Sequence, residues 1–180
     1  MSKMVLVPAQ RIPPRALQRL REDCHRLTDT NTDGDGHLIS EVTTHWMDPD
    51  GPNYGVLDYV EKSFRSAADL YGFDLWEEVP IEPWQFNHYE GGGYYGWHVD
   101  VDEPLSDNNR KITCVIVLTG PDEYKGGALE LMSEEHKVVS LRPEAGTLIF
   151  FPSFMLHRVA VVISGVRESL STCALGPSFR

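Results

Sequence analysis

From Trp84 onward the chain reads WQFNHYE (84–90), YYGWHVDV (94–101), KITCVIVLTG (111–120), ALELM (128–132), KVVSL (137–141), TLIFFPS (147–153), HRVAVVI (157–163) and ESLSTCAL (168–175). Each run is short, rich in aromatic and β-branched residues, and set off by Gly, Pro or Asp. Strands of this length at this spacing predict a β-sandwich or barrel. Upstream the pattern changes. Pro13 and Pro14 sit where a helix can begin, and Ala16–Leu27 carries Leu17, Leu20 and Leu27 among charged residues, which predicts an amphipathic helix. Val56, Val60, Phe64, Ala67, Ala68 and Tyr71 recur at helical spacing and predict a second helix from Val56 to Tyr71. Met4–Val7 has the makings of a short strand. Residues 28–37 and 47–55 are polar and rich in Gly, Pro and Asp, so they are expected to be loops. Helices first and strands afterwards predict a mainly β fold with N-terminal helices, a jelly roll with the helices packed on one sheet. The expected organisation is one domain over residues 1–180, with a helical support region at 1–80 and a β core at 83–180.

The chain has 180 residues, enough for one well-filled core, and a formal net charge of −11. Such acidity argues against a nucleic-acid partner, whose phosphates are held largely by Lys and Arg. The three cysteines, Cys24, Cys114 and Cys173, are far apart and odd in number. They form neither a disulfide framework nor a zinc motif and are expected to be free thiols without catalytic work, in a reducing compartment. The opening MSKMVLVPAQRIPP lacks the apolar run and cleavage site of a signal peptide, and no stretch approaches the roughly 20 apolar residues of a membrane helix. The expected location is therefore the cytoplasm, with no membrane partner.

Within the strand-rich part, His98-Val99-Asp100 is the first chemical signal. Residues two apart on a strand share a face, so an imidazole and a carboxylate project together. HxD alone is common by accident. His157, which stands 59 residues later just beyond TLIFFPS, adds to it, because distant strands of a jelly roll can be neighbours. Two His and one carboxylate on one face leave the opposite metal positions open, the ligand set of Fe(II) that binds a cosubstrate and oxygen; it is not a sulfur-rich structural zinc set. Arg167 follows ten residues after His157, across the turn signal Ile163-Ser164-Gly165. Its donor fork suits a carboxylate. Ser169 shares its face. Trp97 alternates with His98 and should face away from the metal and pack.

The segments YEGGGYYGWHVD (89–100), YKGGALEL (124–131) and PEAGTLIFFPSFMLHRVAVVISGVRES (143–169) resemble the prolyl 4-hydroxylase-like branch of the Fe(II)/2-oxoglutarate dioxygenases. The likeness covers about residues 83–180. It implies a double-stranded β-helix of the jelly-roll, cupin-like type, with His98, Asp100 and His157 as catalytic iron ligands. It further implies Arg167 on the distal carboxylate of 2-oxoglutarate, and Tyr89 and Ser169 as further cosubstrate contacts. The implied cofactors are Fe(II), 2-oxoglutarate and O2, with ascorbate as a stimulant. Asp100 is intact, which favours hydroxylation over halogenation. Val115, Ile116 and Val117 stand where some relatives place a tyrosine, so the pocket should differ in shape. Gly126-Gly127 reads as a close backbone approach.

The implied substrate is a prolyl residue of a peptide or protein, with a free amino acid or other small molecule as the alternative. Residues 45–55 and 101–110 are expected to shape its entrance, with Asp102, Glu103 and Asp107 as solvated charges there. The competing reading is a jelly-roll module that binds metal or ligand without turnover; Arg167 discriminates, since such a module does not need it. Asn31–Val42 resembles an EF-hand loop, but the twelfth position, which should be a bidentate Glu, is Val42. A turn without calcium is expected.

Overall fold

The computed structural model describes residues 5, 8, 11–27, 30–31, 40–47, 56–77, 81–101 and 109–178. Helix α1 spans Pro14–Cys24, with Pro at its first turn, and its last turn tightens where Arg26 and Leu27 bond back three residues to Asp23 and Cys24. The helical pattern seen to Leu27 therefore ends three residues early. Helix α2 spans Val56–Tyr71, as its periodicity predicts. The proposed strand at Met4–Val7, the EF-hand-like turn at 32–39 and most of the two entrance loops lie outside the described residues.

The strands are β1 (Thr30–Asn31), β2 (Ser40–Glu41), β3 (Thr43–Met47), β4 (Trp84–Tyr89), β5 (Tyr94–His98), β6 (Arg110–Val117), β7 (Tyr124–Gly126), β8 (Leu129–Met132), β9 (Val138–Leu141), β10 (Leu148–Pro152), β11 (His157–Val159), β12 (Val162–Gly165) and β13 (Arg167–Leu175). The major sheet runs β1-β3-β4-β13-β6-β10 and the minor sheet β2-β5-β11-β8-β9, with β12 and β7 as a separate pair. Their antiparallel pairings give the double-stranded β-helix. The region before residue 80 is not purely helical. β3 pairs with β4 inside the major sheet, Thr44 opposite Asn87 and Trp46 opposite Gln85.

Alternation decides what each strand shows to each side. On β6, Ile112, Cys114 and Ile116 join Leu148, Phe150 and Leu170 in a core beneath the helices, where Val60 and Phe64 of α2 seal the sheet. Phe64 meets Phe150 edge-on, ring centroids 5.1 Å apart. Burial of a side chain of this size contributes roughly 1.5–3 kcal/mol. Val115 and Val117 face the other way, toward Leu129, Leu131, Ile149, Phe151 and Met155 between the sheets. The aliphatic trio is thus split across β6, with Ile116 under the helices. Gly126 and Gly127 have φ of +74° and +59°, and a Cβ on Gly126 would collide with the Val161 carbonyl oxygen. That pair is a structural necessity where β7 meets β12.

Candidate functional site

β11 lies between β5 and β8, and His157 is the direct Cα partner of His98. The 59-residue separation is therefore closed by a single rung of the minor sheet. Asp100 follows the end of β5. Its Oδ1 is 3.6 Å from His98 Nε2 and its Oδ2 is 3.6 Å from His157 Nε2. The donor atoms of the three residues all lie within 4.8 Å of one another, and among the described residues no other such cluster occurs.

The two rings are set for metal binding by the backbone. His98 Nδ1 lies 2.8 Å from the Gly96 carbonyl oxygen and His157 Nδ1 lies 2.9 Å from that of Met155. A carbonyl only accepts, so each Nδ1 carries the proton and each Nε2 lone pair points at Asp100. His98 is held below the ordinary imidazole pKa, first by burial and then by the neighbouring His157. Both effects favour the neutral ring that a metal needs. Two imidazoles and a carboxylate on one side, with a cavity on the other, fit Fe(II) with open positions.

That cavity is about 270 Å³. Arg167, Tyr89 and Ser169 line it together with His98, Asp100 and His157, and Glu82, Arg110 and Trp46 also line it. Arg167 is 4 % exposed. Its Nη1 donates to Ser169 Oγ at 3.1 Å, and its guanidinium lies 5.1 Å from the Tyr89 ring centroid. No carboxylate pairs with it among the described residues. Burial raises the Tyr89 hydroxyl to about 12, so it stays a donor. Tyr89 also packs against Tyr124, Val159 and Val162, so it is a core aromatic and a pocket wall at once. From β6, Arg110, Thr113 and Val115 line the cavity, while Val117, Ile149 and Phe151 pack with Val115 between the sheets.

Trp97 does not line the cavity; Arg158 sits 4.8 Å over its ring and pairs with Glu130. Cys24, Cys114 and Cys173 are buried and free. Burial pushes the Cys24 and Cys173 thiols up to about 12, which makes them poor nucleophiles. Cys173 nevertheless lines the cavity.

The sequence reading missed several pocket residues. Tyr95 packs against His98 with ring centroids 4.1 Å apart and the rings tilted by 49°, although three residues of regular strand would put them on opposite faces. The register shifts between the His157↔His98 and Val159↔Tyr95 pairs, and this bulge turns both rings inward. Gly96 between them was the only available signal. Asn87 is buried and bonded to Thr44 and Ser171. Thr113 touches Asp100, and Arg110 donates to the Asp100 carbonyl. In the sequence these three look like ordinary polar strand residues.

Residues 84–172 match the family model of the 2OG-Fe(II) oxygenase superfamily. A PKHD-type hydroxylase of Stenotrophomonas maltophilia (strain R551-3) is 40 % identical over 89 residues, 47 % of this chain and 39 % of the relative. Another PKHD-type hydroxylase, of Parvibaculum lavamentivorans, is 37 % identical over 143 residues, 73 % of this chain and 60 % of the relative. The chain thus spans from two fifths to three fifths of the length of these curated relatives. Among solved structures, a Pseudomonas putida prolyl-4-hydroxylase superposes with a TM-score of 0.75 at 20 % identity, covering 97 % of this chain and 93 % of that one. A viral collagen prolyl hydroxylase from Paramecium Bursaria Chlorella virus-1, in a 2OG complex, gives 0.70 at 17 % identity over 96 % of each chain. The family match and the shared double-stranded β-helix agree with the two-His, one-carboxylate cluster: the chain belongs to the 2OG-Fe(II) oxygenase superfamily.

Proposed function

We propose that this protein is an Fe(II)- and 2-oxoglutarate-dependent oxygenase that hydroxylates a C–H bond. The substrate is a prolyl residue of a peptide or protein, or a free amino acid, taken in prolyl hydroxylase-like fashion. The observation that carries this reading is Arg167. A buried guanidinium without a carboxylate is costly, and here it stands in the same cavity as an open metal-ligand cluster. A dicarboxylic 2-oxo acid satisfies both, its far carboxylate on Arg167 and its oxo-acid end toward the metal. A module that only held metal would have no use for the arginine.

His98, Asp100 and His157 would hold the iron, which when bound supplies the redox chemistry of O2 and the 2-oxo acid. The residues around it bind, orient and exclude water. Both His keep their Nδ1 protons, donated to the Gly96 and Met155 carbonyls, and so leave Nε2 free for the metal. Arg167 and Ser169 grip the distal carboxylate, and Tyr89 walls it in. Val115, Leu129 and Val159 line the same cavity with apolar surface. The net change is conversion of 2-oxoglutarate and O2 to succinate and CO2, with one oxygen atom entering the substrate C–H bond. Ascorbate would act by keeping iron reduced.

The three buried free thiols support a cytoplasmic location, and among the described residues no helix is long and apolar enough to cross a membrane. The acidic charge supports no nucleic-acid partner. The test is succinate release from 2-oxoglutarate with Fe(II) and ascorbate, screened over proline-containing peptides and free amino acids. Iron-dependent succinate that rises with one of them is expected. No iron-dependent succinate with or without candidate substrates, from protein that binds iron and 2-oxoglutarate, would instead favour the non-enzymatic module.

A further inference from the structure

Each ligand of the proposed metal centre has one atom turned to the metal and another that must be held. For His98 and His157 the backbone carbonyls of Gly96 and Met155 do the holding. Asp100 has no such help from its strand, because it lies beyond the end of β5. What grips it comes from β6 and from the turn after β10. The Asp100 N–H donates to the Ser153 carbonyl oxygen at 2.8 Å, and its own carbonyl accepts from Arg110 Nη1 at 2.8 Å. Its Oδ2 lies 2.5 Å from Thr113 Oγ1.

We propose that Thr113 is a positioning residue of the metal centre, its hydroxyl fixing the Asp100 carboxylate so that it meets the metal in one orientation. The inference rests on the reading of His98, Asp100 and His157 as metal ligands. Thr113 is 3 % exposed and faces inward from β6, on the same side of the strand as Val115 and Val117. Packing alone would be served by a third valine, which has nearly the same shape. A buried hydroxyl is an added cost unless it is bonded. A carboxylate only accepts, and 2.5 Å is the length of a hydrogen bond to an ionised oxygen. The single Thr113 proton therefore goes to Asp100. Ser153 Oγ, fully buried and 3.1 Å from Thr113 Oγ1, then donates to Thr113. The relay Ser153 to Thr113 to Asp100 polarises each bond in turn. Occupying one side of Oδ2 restricts how the carboxylate turns, which favours binding through one oxygen and keeps the opposite metal positions open. Loss of such a supporting group typically costs about 10–100-fold in metal affinity.

The test uses the full chain, stripped of metal and titrated anaerobically with Co(II), read by its visible d–d absorption. The parent, Thr113→Val, Thr113→Ser and His157→Ala are compared. Thr113→Val is expected to bind Co(II) roughly 10–100-fold more weakly than the parent, with an altered spectrum. Thr113→Ser, which keeps the hydroxyl, should restore both. His157→Ala should show no ordered site. A parent that fails to bind Co(II) would sink the metal centre itself. A parent that binds while Thr113→Val binds equally well, with an unchanged spectrum, would overturn only the role of Thr113. Should the valine variant lose the circular dichroism of the metal-free parent, Thr113→Ala replaces it under the same expectation. If that variant also fails to fold, the hydroxyl is a fold requirement and the proposal is wrong.

Discussion

Arg167 and Glu168 are adjacent on β13, point to opposite faces of the major sheet, and are 4 % and 1 % exposed. Their surroundings differ completely. Glu168 accepts from Arg21 Nε at 2.6 Å, and it lies 2.9 Å from His25 Nε2 and 3.0 Å from His88 Nδ1. Those partners come from α1, the turn after it, and β4, so the carboxylate ties the N-terminal helix to the sheet. Arg167 has a hydroxyl, an aromatic face and a cavity. One buried charge is completed by the chain; under the proposed function, the other is completed by a ligand. The difference separates a structural ion cluster from a binding site more sharply than burial or charge alone.

The largest stability effect should fall on the completed side. Glu168→Gln removes the charge that gathers Arg21, His25 and His88. Arg21 and His25 are partly exposed and can hydrate, so the cost should stay near that of unsatisfied buried polar groups, about 1–3 kcal/mol. At roughly 2–4 °C per kcal/mol for a chain of this size, thermal unfolding should drop by several degrees. Arg167→Ala should leave the melting temperature of the ligand-free protein unchanged or higher, because it deletes an uncompensated charge. The reverse pattern would break the comparison.

A pH series sharpens it. The hydrogen bond to Glu168 raises the pKa of His88, with burial opposing. The folded state therefore keeps a proton that the unfolded state releases. The stability from this pair is complete below the unfolded value of about 6.5 and is lost as pH rises through the raised folded value. Burial pushes Glu168 up, but its hydrogen bonds to His88 and Arg21 hold it below the usual carboxylate range. Its own contribution persists in acid until pH falls through that lowered value. Urea unfolding of the parent against Glu168→Gln should show a stability difference that shrinks as pH climbs above about 6.5. A difference that is flat across that window would remove His88 from the cluster.

The smallest effect belongs to Tyr89→Phe. The ring over Arg167 remains and one buried hydroxyl is lost, so 2-oxoglutarate binding measured by calorimetry should weaken by about 0.5–1.5 kcal/mol. A loss as large as that of Arg167→Ala would mean that the hydroxyl, and not the guanidinium, carries the cosubstrate.

The legible parts of this molecule were those written in apolar periodicity and in strand alternation. Val60 and Phe64 announced α2, and the strand runs from Trp84 to Leu175 announced the two sheets. His98 and His157 could be placed on one face because neighbouring strands of a jelly roll bring distant residues together. β3 was illegible because its inward Thr44 is satisfied by Asn87 and not by apolar packing. Tyr95 was not legible, because plain alternation sets it opposite His98 and only the register shift between them brings the two rings together. Thr113 and Arg110 were silent because their meaning lies in contacts with Asp100, across the fold, and no local pattern encodes a partner's identity.

The central claim is that the cavity lined by Arg167 receives the far carboxylate of 2-oxoglutarate. The direct measurement is the 2-oxoglutarate dissociation constant under anaerobic Fe(II), parent against Arg167→Ala, with bound iron determined in both. Removing one partner of a buried charged pair costs about 3–5 kcal/mol, and each 1.4 kcal/mol is about tenfold. The account predicts a loss of at least about 100-fold for Arg167→Ala with iron content unchanged, and a smaller loss for Arg167→Lys, which keeps the charge without the fork. Equal 2-oxoglutarate affinity in the parent and Arg167→Ala would contradict it.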